Sequence, residues 1–349
     1  MSRAFIPSSL TSRIPSRTYL LGAIIIFATA NSITRQLTNI GERNLIDGRN
    51  PISFCNVLFV GNLCALMALI VLYRKQWNVQ SLKQLSRTDW LGLIGVAILS
   101  GALAPALIFA ALDLTTVNNV VLIGRIEPPL ALALSVLLLR ERVNRCVVAG
   151  AIIAFIGVVL TILLQPSGEN MVSMAGWKLG QGELMVAVGA SCLAVSTIIS
   201  KVKLRNIPLG IFTIFRTALG TVVFFVAALI IYSPIHFINA FSPLLWQWML
   251  IYGAVIVVGG QLLWFTGLKT SSASDVSLAS SFSPIAGILA AYLILGEAPT
   301  FAQYIGGSVI LLGIALNQIG IVRQRTKTPT VPPVSPAKEI DMEVGFKGI

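Results

Sequence analysis

The sequence predicts an all-α integral membrane protein of ten transmembrane helices, arranged as two inverted five-helix repeats. Three observations predict it. Of the 349 residues, 56% are hydrophobic and only 11% charged, with a mean hydropathy of +0.86, whereas a soluble domain carries about 25% charged residues. That leaves too little polar surface to cover a water-soluble globule. The basic residues collect on alternate loops, and the second half of the chain echoes the first at a fixed offset. The net charge of +12 is therefore read as loop charge that orients the chain in a lipid bilayer, and nucleic acid is not an expected partner.

Taken in order, residues 1–18 form a polar, basic, cytoplasmic tail with Arg3, Arg13 and Arg17 and no cleavage site behind an apolar core. The apolar spans that follow are Tyr19–Gln36, Ser53–Tyr73, Trp90–Leu112, Val117–Leu139 and Val143–Leu164. After a linker at 165–179 come Gly180–Lys201, Pro208–Tyr232, Leu244–Leu268, Ser272–Leu295 and Thr300–Val322. Each is long enough to cross a hydrocarbon layer of about 30 Å with some tilt. Residues 323–349, rich in proline and mixed charge, are expected to be a disordered cytoplasmic tail.

The basic residues test this division. With the N-terminus in the cytoplasm, nineteen of the 25 Lys and Arg fall on cytoplasmic segments and three, Arg43, Arg49 and Lys178, on the other side. Arg35, Arg125 and Arg216 lie inside spans. Such a bias orients a multi-pass protein with both termini in the cytoplasm, as expected for a plasma (inner) membrane.

A shift of 156 residues lays Ala106–Val158 over Leu262–Ile314. Pro128 then meets Pro284, Glu141 meets Glu297, Gly150 meets Gly306 and Gly157 meets Gly313. The repeats run 19–164 and 180–322. Each holds five spans, an odd number, so the second enters the membrane upside down. Inverted repeats are the architecture of alternating-access carriers, with a substrate site near the midplane. The glycines at seven-residue spacing are read as close helix contacts.

The fourth span breaks the rule that the others keep. Its middle reads Gly124-Arg125-Ile126-Glu127-Pro128-Pro129, which at about 1.5 Å per residue lies near the centre of the bilayer. A charge there costs at least about 2.5–3.5 kcal/mol, and each proline removes a backbone hydrogen bond. Pro128, Pro129 and, in the ninth span, Pro284 are therefore helix breaks whose freed carbonyls need protein or water. Arg125 and Glu127 are two apart, roughly 200° around an ideal helix, and so point to different sides. Two readings stay open: Glu127 as a strut to Arg216 of the seventh span, or Arg125 as a cavity group that takes a carboxylate or phosphate in bidentate geometry. Glu127 is also the candidate carrier of a coupling proton, with burial and the neighbouring arginines pulling in opposite directions.

The second half holds Gly267-Leu268-Lys269-Thr270-Ser271-Ser272-Ala273, Phe282-Ser283-Pro284, Leu295-Gly296-Glu297 and the Gly306-Gly307…Gly313 helix. The first half holds Glu127-Pro128 and Leu139-Arg140-Glu141-Arg142. In these segments the chain resembles the EamA-type members of the drug/metabolite transporter superfamily. The resemblance spans residues 19 to 322. It implies a central cavity lined by the third, fourth, eighth and ninth helices with parts of the first and sixth. Many members carry an arginine about eight residues into the second span of each half; here Arg216 holds that place after Pro208, but Phe59 holds it after Pro51.

Further candidates for the cavity are Asn31 in the first span, Gln261 and Trp264 in the eighth, and Ser281, the repeat mate of Arg125, in the ninth. Ser32, Ser191, Ser196 and Thr197 are expected to hydrogen-bond across helices. Arg35 is expected to snorkel to the headgroups, and Trp264 is read equally as an interface anchor. The reading that follows is a secondary carrier moving a small polar metabolite, an amino acid or related carboxylate, by alternating access, with efflux the direction that the resemblance implies. The alternatives are an exporter of organic cations or drugs and a non-transporting membrane scaffold. No ATP-binding motif appears, and no cofactor or metal is called for: Cys55, Cys64, Cys146 and Cys192 lack ligand spacing, and His236 is the sole histidine. An intramembrane enzyme would need a nucleophile with its base, or metal ligands at depth.

Overall fold

The architecture follows from how each apolar run starts, stops and meets its neighbours. The computed structural model describes residues 16–73, 76, 82–140, 143–165, 171–174, 177–203, 207–232, 237, 240–270 and 273–327. His236, Glu141 and most of both tails lie outside the described residues. The helices are α1 (Ser16–Arg43), α2 (Phe54–Tyr73), α3 (Arg87–Leu112), α4 (Val117–Leu139), α5 (Arg145–Leu163), α6 (Gln181–Lys203), α7 (Leu209–Tyr232), α8 (243–270), α9 (273–295) and α10 (Phe301–Lys327). Eight helices among the described residues are long and apolar enough to cross a membrane. In α8 and α9 the apolar stretches are the shorter Pro243–Ile256 and Ser283–Leu295.

Starts are set by side chains that accept the orphan N–H groups of the first turn. Ser86 and Asp89 form a reciprocal capping box on α3, and Thr116, Asn144 and Ser242 cap α4, α5 and α8. Two stops share one conformation: Arg140 at the end of α4 (φ 53°) and Gly296 at the end of α9 (φ 73°) both turn left-handed. They are 156 residues apart. The same offset separates two widened π-helical turns, Ala97–Leu103 in α3 and Gly253–Gly259 in α8. In α3 the N–H of Ala104 reaches back five residues to the carbonyl of Leu99, just ahead of Pro105, which has no N–H to give.

The halves interleave. Helix α1 packs on α8 and α9, while α6 packs on α3 and α4; α7 lies against the widened turn of α3, and α2 against that of α8. At the α3–α7 contact a Cβ on Gly101 would sit 2.6 Å from the Arg216 carbonyl oxygen and 3.2 Å from Gly220 Cα, so the backbones touch. Helices α5 and α10 meet the same way: a Cβ on Gly150 would lie 2.6 Å from Gly313 O, and one on Gly157 2.8 Å from Gly306 O. The seven-residue glycine spacing serves close helix contact, as the sequence predicts. Apolar clusters fill the gaps, one around Phe109, Leu58 and Met249 and another around Leu122, Ile123, Val158 and Ile310.

Three details refine the sequence division. Helix α1 runs to Arg43, seven residues past the expected end at Gln36, because Leu37 and Thr38 are still buried against neighbours; hydropathy marks the lipid boundary, not the helix end. Helix α10 likewise continues to Lys327, into the stretch read as a disordered tail. The 165–179 linker contains a hairpin, with β1 (Met171–Met174) paired antiparallel to β2 (Trp177–Gly180).

Candidate functional site

The charged break of α4 is built from a change of helical winding. Residues Val117–Ile123 are α-helical, Gly124–Ile126 form one 3-10 turn, and Glu127–Leu139 resume the α-helix with Pro128 and Pro129 in its opening turn. Prolines fit there because opening N–H groups have no intrahelical partner. The carbonyl of Gly124, which Pro128 would otherwise strand, accepts from the N–H of Glu127. A 3-10 turn advances about 120° per residue, so Arg125 and Glu127 diverge less than an ideal α-helix would make them. The two charges interact.

Helix α9 breaks at the matching level. Ala273–Ser281 ends, Phe282 makes a turn with its N–H on the Ala279 carbonyl, and Ser283–Leu295 restarts with Pro284 in its first turn. The two breaks meet: Arg125 Nη2 donates to Ser283 Oγ at 2.9 Å. Arg125 keeps some accessible surface, while its Nε is buried with no hydrogen-bond partner. Glu127 is 5% exposed and Arg216 7%. Arg216 Nη1 reaches Ser100 Oγ on the widened turn of α3 at 3.5 Å, the long limit of a hydrogen bond. At the other half's equivalent place Phe59 stacks on Phe225 with ring centroids 4.9 Å apart and meets Phe237 edge-on. One half offers charge where the other offers an aromatic cluster.

The remaining sequence candidates divide. Asn31 is half-buried on α1, and its neighbour Ser32 is fully buried. Ser281 is half-buried beside the α9 break. Trp264, 3% exposed, packs edge-on to Phe27 among Leu20, Ala23 and Val276. The side chain of Gln261 lies outside the described residues. Ser191, expected to bond across helices, returns its hydroxyl to Ala187 O of its own helix at 2.8 Å.

Sequence reading missed a polar belt at the end of the bundle where α1, α3 and α9 finish. Arg35 pairs with Asp113 at 2.9 Å, both side chains about a third exposed or less (26% and 35%), where snorkelling was expected. Glu297 Oε2 accepts the Val117 N–H at 2.9 Å, and its main-chain oxygen accepts Asn118 Nδ2 at 3.1 Å. Buried Glu183 of α6 accepts from Thr115 Oγ1 and, at 2.7 Å, from Asn119 Nδ2. Asn119 Oδ1 in turn accepts from Gln303 Nε2 at 2.6 Å. One signal was available: Thr300 and Gln303 have capping-box spacing, and that box, seen here, points the Gln303 amide nitrogen toward α4. Burial pushes the Asp113 and Glu297 carboxyls up from their ordinary values, with Arg35 pulling both back.

The model of the EamA-like transporter family matches residues 17–163 and again 180–318. The chain belongs to the EamA-like transporter family. It is 46% identical over 337 residues to an uncharacterized transporter of Synechocystis sp., covering 97% of this chain and 96% of that one. A riboflavin transporter, ImpX of Fusobacterium nucleatum, is 24% identical across 75% of this chain and 87% of its own. A crystal structure with 20% identity covers 90% of this chain and 99% of that one at a TM-score of 0.53, a likeness of fold. The protein is thus a multi-pass membrane member of a transporter family, with a small-molecule substrate and a lipid environment. The two family matches bracket the 165–179 segment and give each half its own broken helix, α4 and α9.

Proposed function

We propose that the protein is a secondary carrier that moves a small polar metabolite with a carboxylate, an amino acid or a related acid, by alternating access and in the direction of export. The observation that carries this reading is the meeting of the two broken helices at Arg125 and Ser283. A guanidinium held at mid-span, with a buried Nε still lacking a partner, offers a planar donor edge to a carboxylate. Arg216 adds a second buried positive charge and Glu127 a negative one, so a ligand with both signs, such as an amino acid, finds complementary groups. The relative named as a riboflavin transporter supports a small polar metabolite in general; the carboxylate is argued from Arg125 alone.

Ten crossings as two inverted repeats complete the proposal, within the plasma membrane and with cytoplasmic termini. Support comes from the widened turns, left-handed stops and helix breaks that recur 156 residues apart, and from the reciprocal packing of α1 on α8 and α9 and of α6 on α3 and α4. Asn31, Gln261, Trp264 and Ser281 complete the proposed cavity, Trp264 as its packed wall.

Counterflow in proteoliposomes against radiolabelled amino acids, organic acids, nucleosides and riboflavin tests the reading. A carboxylate-bearing solute should exchange, and Arg125→Glu should abolish that exchange while leaving the protein monodisperse. Exchange of organic cations that Glu127→Gln abolishes and Arg125→Glu spares would replace this reading with the cation one.

A further inference from the structure

We propose that Glu297 is a proton-sensitive latch on the outer end of the bundle, through which external pH biases the carrier between outer-closed and outer-open forms. The inference rests on the carrier reading above and adds to it a regulatory site away from the substrate.

The geometry is that of a fastener between two bodies. Helix α9 packs mainly on α1, and α4 mainly on α6, and α9 and α4 also touch each other near their ends. Gly296 turns the chain at the end of α9 and delivers Glu297 to the first turn of α4. There Oε2 takes the N–H of Val117, the first residue of the helix, and the main-chain oxygen takes the Asn118 side chain. A carboxylate at a helix N-terminus is favoured both by that orphan donor and by the helix dipole. A second fastener lies beside it, where Arg35 of α1 grips Asp113 in the turn before α4. Both contacts join the α1–α9 side to the α3–α4 side, and both must part when the outer end opens.

The charged groups around the latch are Arg35, Asp113 and Glu42 and, from α6, Glu183, which holds Thr115 and Asn119 on either side of Val117–Asn118. Arg35 acts on Glu297 from α1 and is the cation shared with Asp113; Glu42, also on α1, acts on Asp113. In the closed form burial is the largest influence on Glu297 and raises its carboxyl above the ordinary value of 4.5, outweighing Val117, Asn118 and Arg35, which lower it. Opening admits water and removes that burial. The closed form therefore binds a proton more tightly than the open form. By linkage, acid stabilises the closed form, and the advantage fades as pH rises through the raised value. Asp113 shifts the same way for the same first cause, against Arg35, so the two acids reinforce each other. The end concerned is the one opposite the basic loops, which makes the sensed solution the external one.

Spin labels at Asn44→Cys, after α1, and Gln181→Cys, at the start of α6, report the outer opening; both positions are exposed. They are placed in the full chain with its four native cysteines replaced, in proteoliposomes, and distances are measured by double electron–electron resonance from about pH 8 to about pH 5. The expected result is a short-distance population that grows on acidification with a midpoint above 4.5. Glu297→Gln, a stand-in for the protonated acid, should hold that population high throughout and remove most of the pH response. Two populations whose ratio ignores pH, or a Glu297→Gln protein that titrates like the parent, overturn the latch while leaving the carrier reading intact. If Glu297→Gln does not fold, the titration of the parent protein alone decides. A single fixed distance at every pH and with every exchanged solute overturns the carrier reading and the latch with it.

Discussion

At the scale of single residues, the costliest groups in the chain stabilise one another locally. Arg125 and Glu127 would each be expensive alone at mid-span, yet their charges interact across the 3-10 turn, and Ser283 takes one guanidinium hydrogen. A hydrogen bond to a charged group contributes about 1.5–3 kcal/mol. Ser283→Ala should therefore raise the KM of the exchanged carboxylate by about tenfold with a smaller change in kcat, since water can replace part of the bond. Solute-exchange kinetics in proteoliposomes check it, with Ser280→Ala as control because that hydroxyl donates to Val276 O of its own helix. An unchanged KM would remove Ser283 from the site. The serine was visible in the sequence as part of a polar face; which of four hydroxyls receives the guanidinium depended on where the α9 break falls.

At the scale of elements, close helix contacts and strained ends decide stability. Gly157 faces Gly306 O across the α5–α10 contact, where even a Cβ would come within 2.8 Å. Gly157→Leu should cost several kcal/mol by overpacking, of the order of 3 or more, and abolish the monodisperse peak in detergent. Ile156→Leu next to it, 47% exposed, should be neutral. Arg140 holds a left-handed conformation (φ 53°) that its repeat mate Gly296 adopts freely (φ 73°). Arg140→Gly should raise the thermal midpoint, with a gain of about 1 kcal/mol from released strain. A fall in the midpoint would show that the arginine side chain contributes more than its backbone costs. The glycine spacing announced the α5–α10 contact. The widened turns in α3 and α8 carried no such announcement, because residues 97–103 and 253–259 are almost all apolar or small and a shift of phase there leaves no mark in the pattern.

At the scale of the whole molecule, interleaving matters more than any one contact. Because α1 leans on α8 and α9, and α6 on α3 and α4, neither half holds its own broken helix without the other. A chain cut to residues 1–164 should therefore fail to give a stable, monodisperse protein, whereas co-expressed halves should associate; size-exclusion of tagged halves checks it. Proposed topology has an equally direct test. A membrane-impermeant thiol reagent applied to intact cells should label Asn44→Cys and spare Arg323→Cys, both exposed positions, and permeabilised cells should label both. The reverse pattern would turn the orientation over and move the Glu297 latch to the cytoplasmic face.

The sequence alone determined the membrane class, most span positions and the family, because scarcity of charge, loop bias and repeated Pro, Glu and Gly positions act through composition and spacing. It also marked Arg125, Glu127 and Pro128-Pro129 as a break at depth. Only the tertiary structure decided what meets that break. Ser283, the Ser100 contact of Arg216 and the belt from Arg35 to Gln303 join residues up to 187 positions apart, and no local pattern ranks one such partner over another. Trp264 shows the converse: its type and depth fitted a cavity wall and an interface anchor alike, and Phe27 and Leu20 pack against it in the structure. Periodicity assigns a face to each helix; the winding defects at 97–103, 124–126 and 253–259 re-aim those faces, and they arise where prolines and glycines meet the packing of a neighbouring helix.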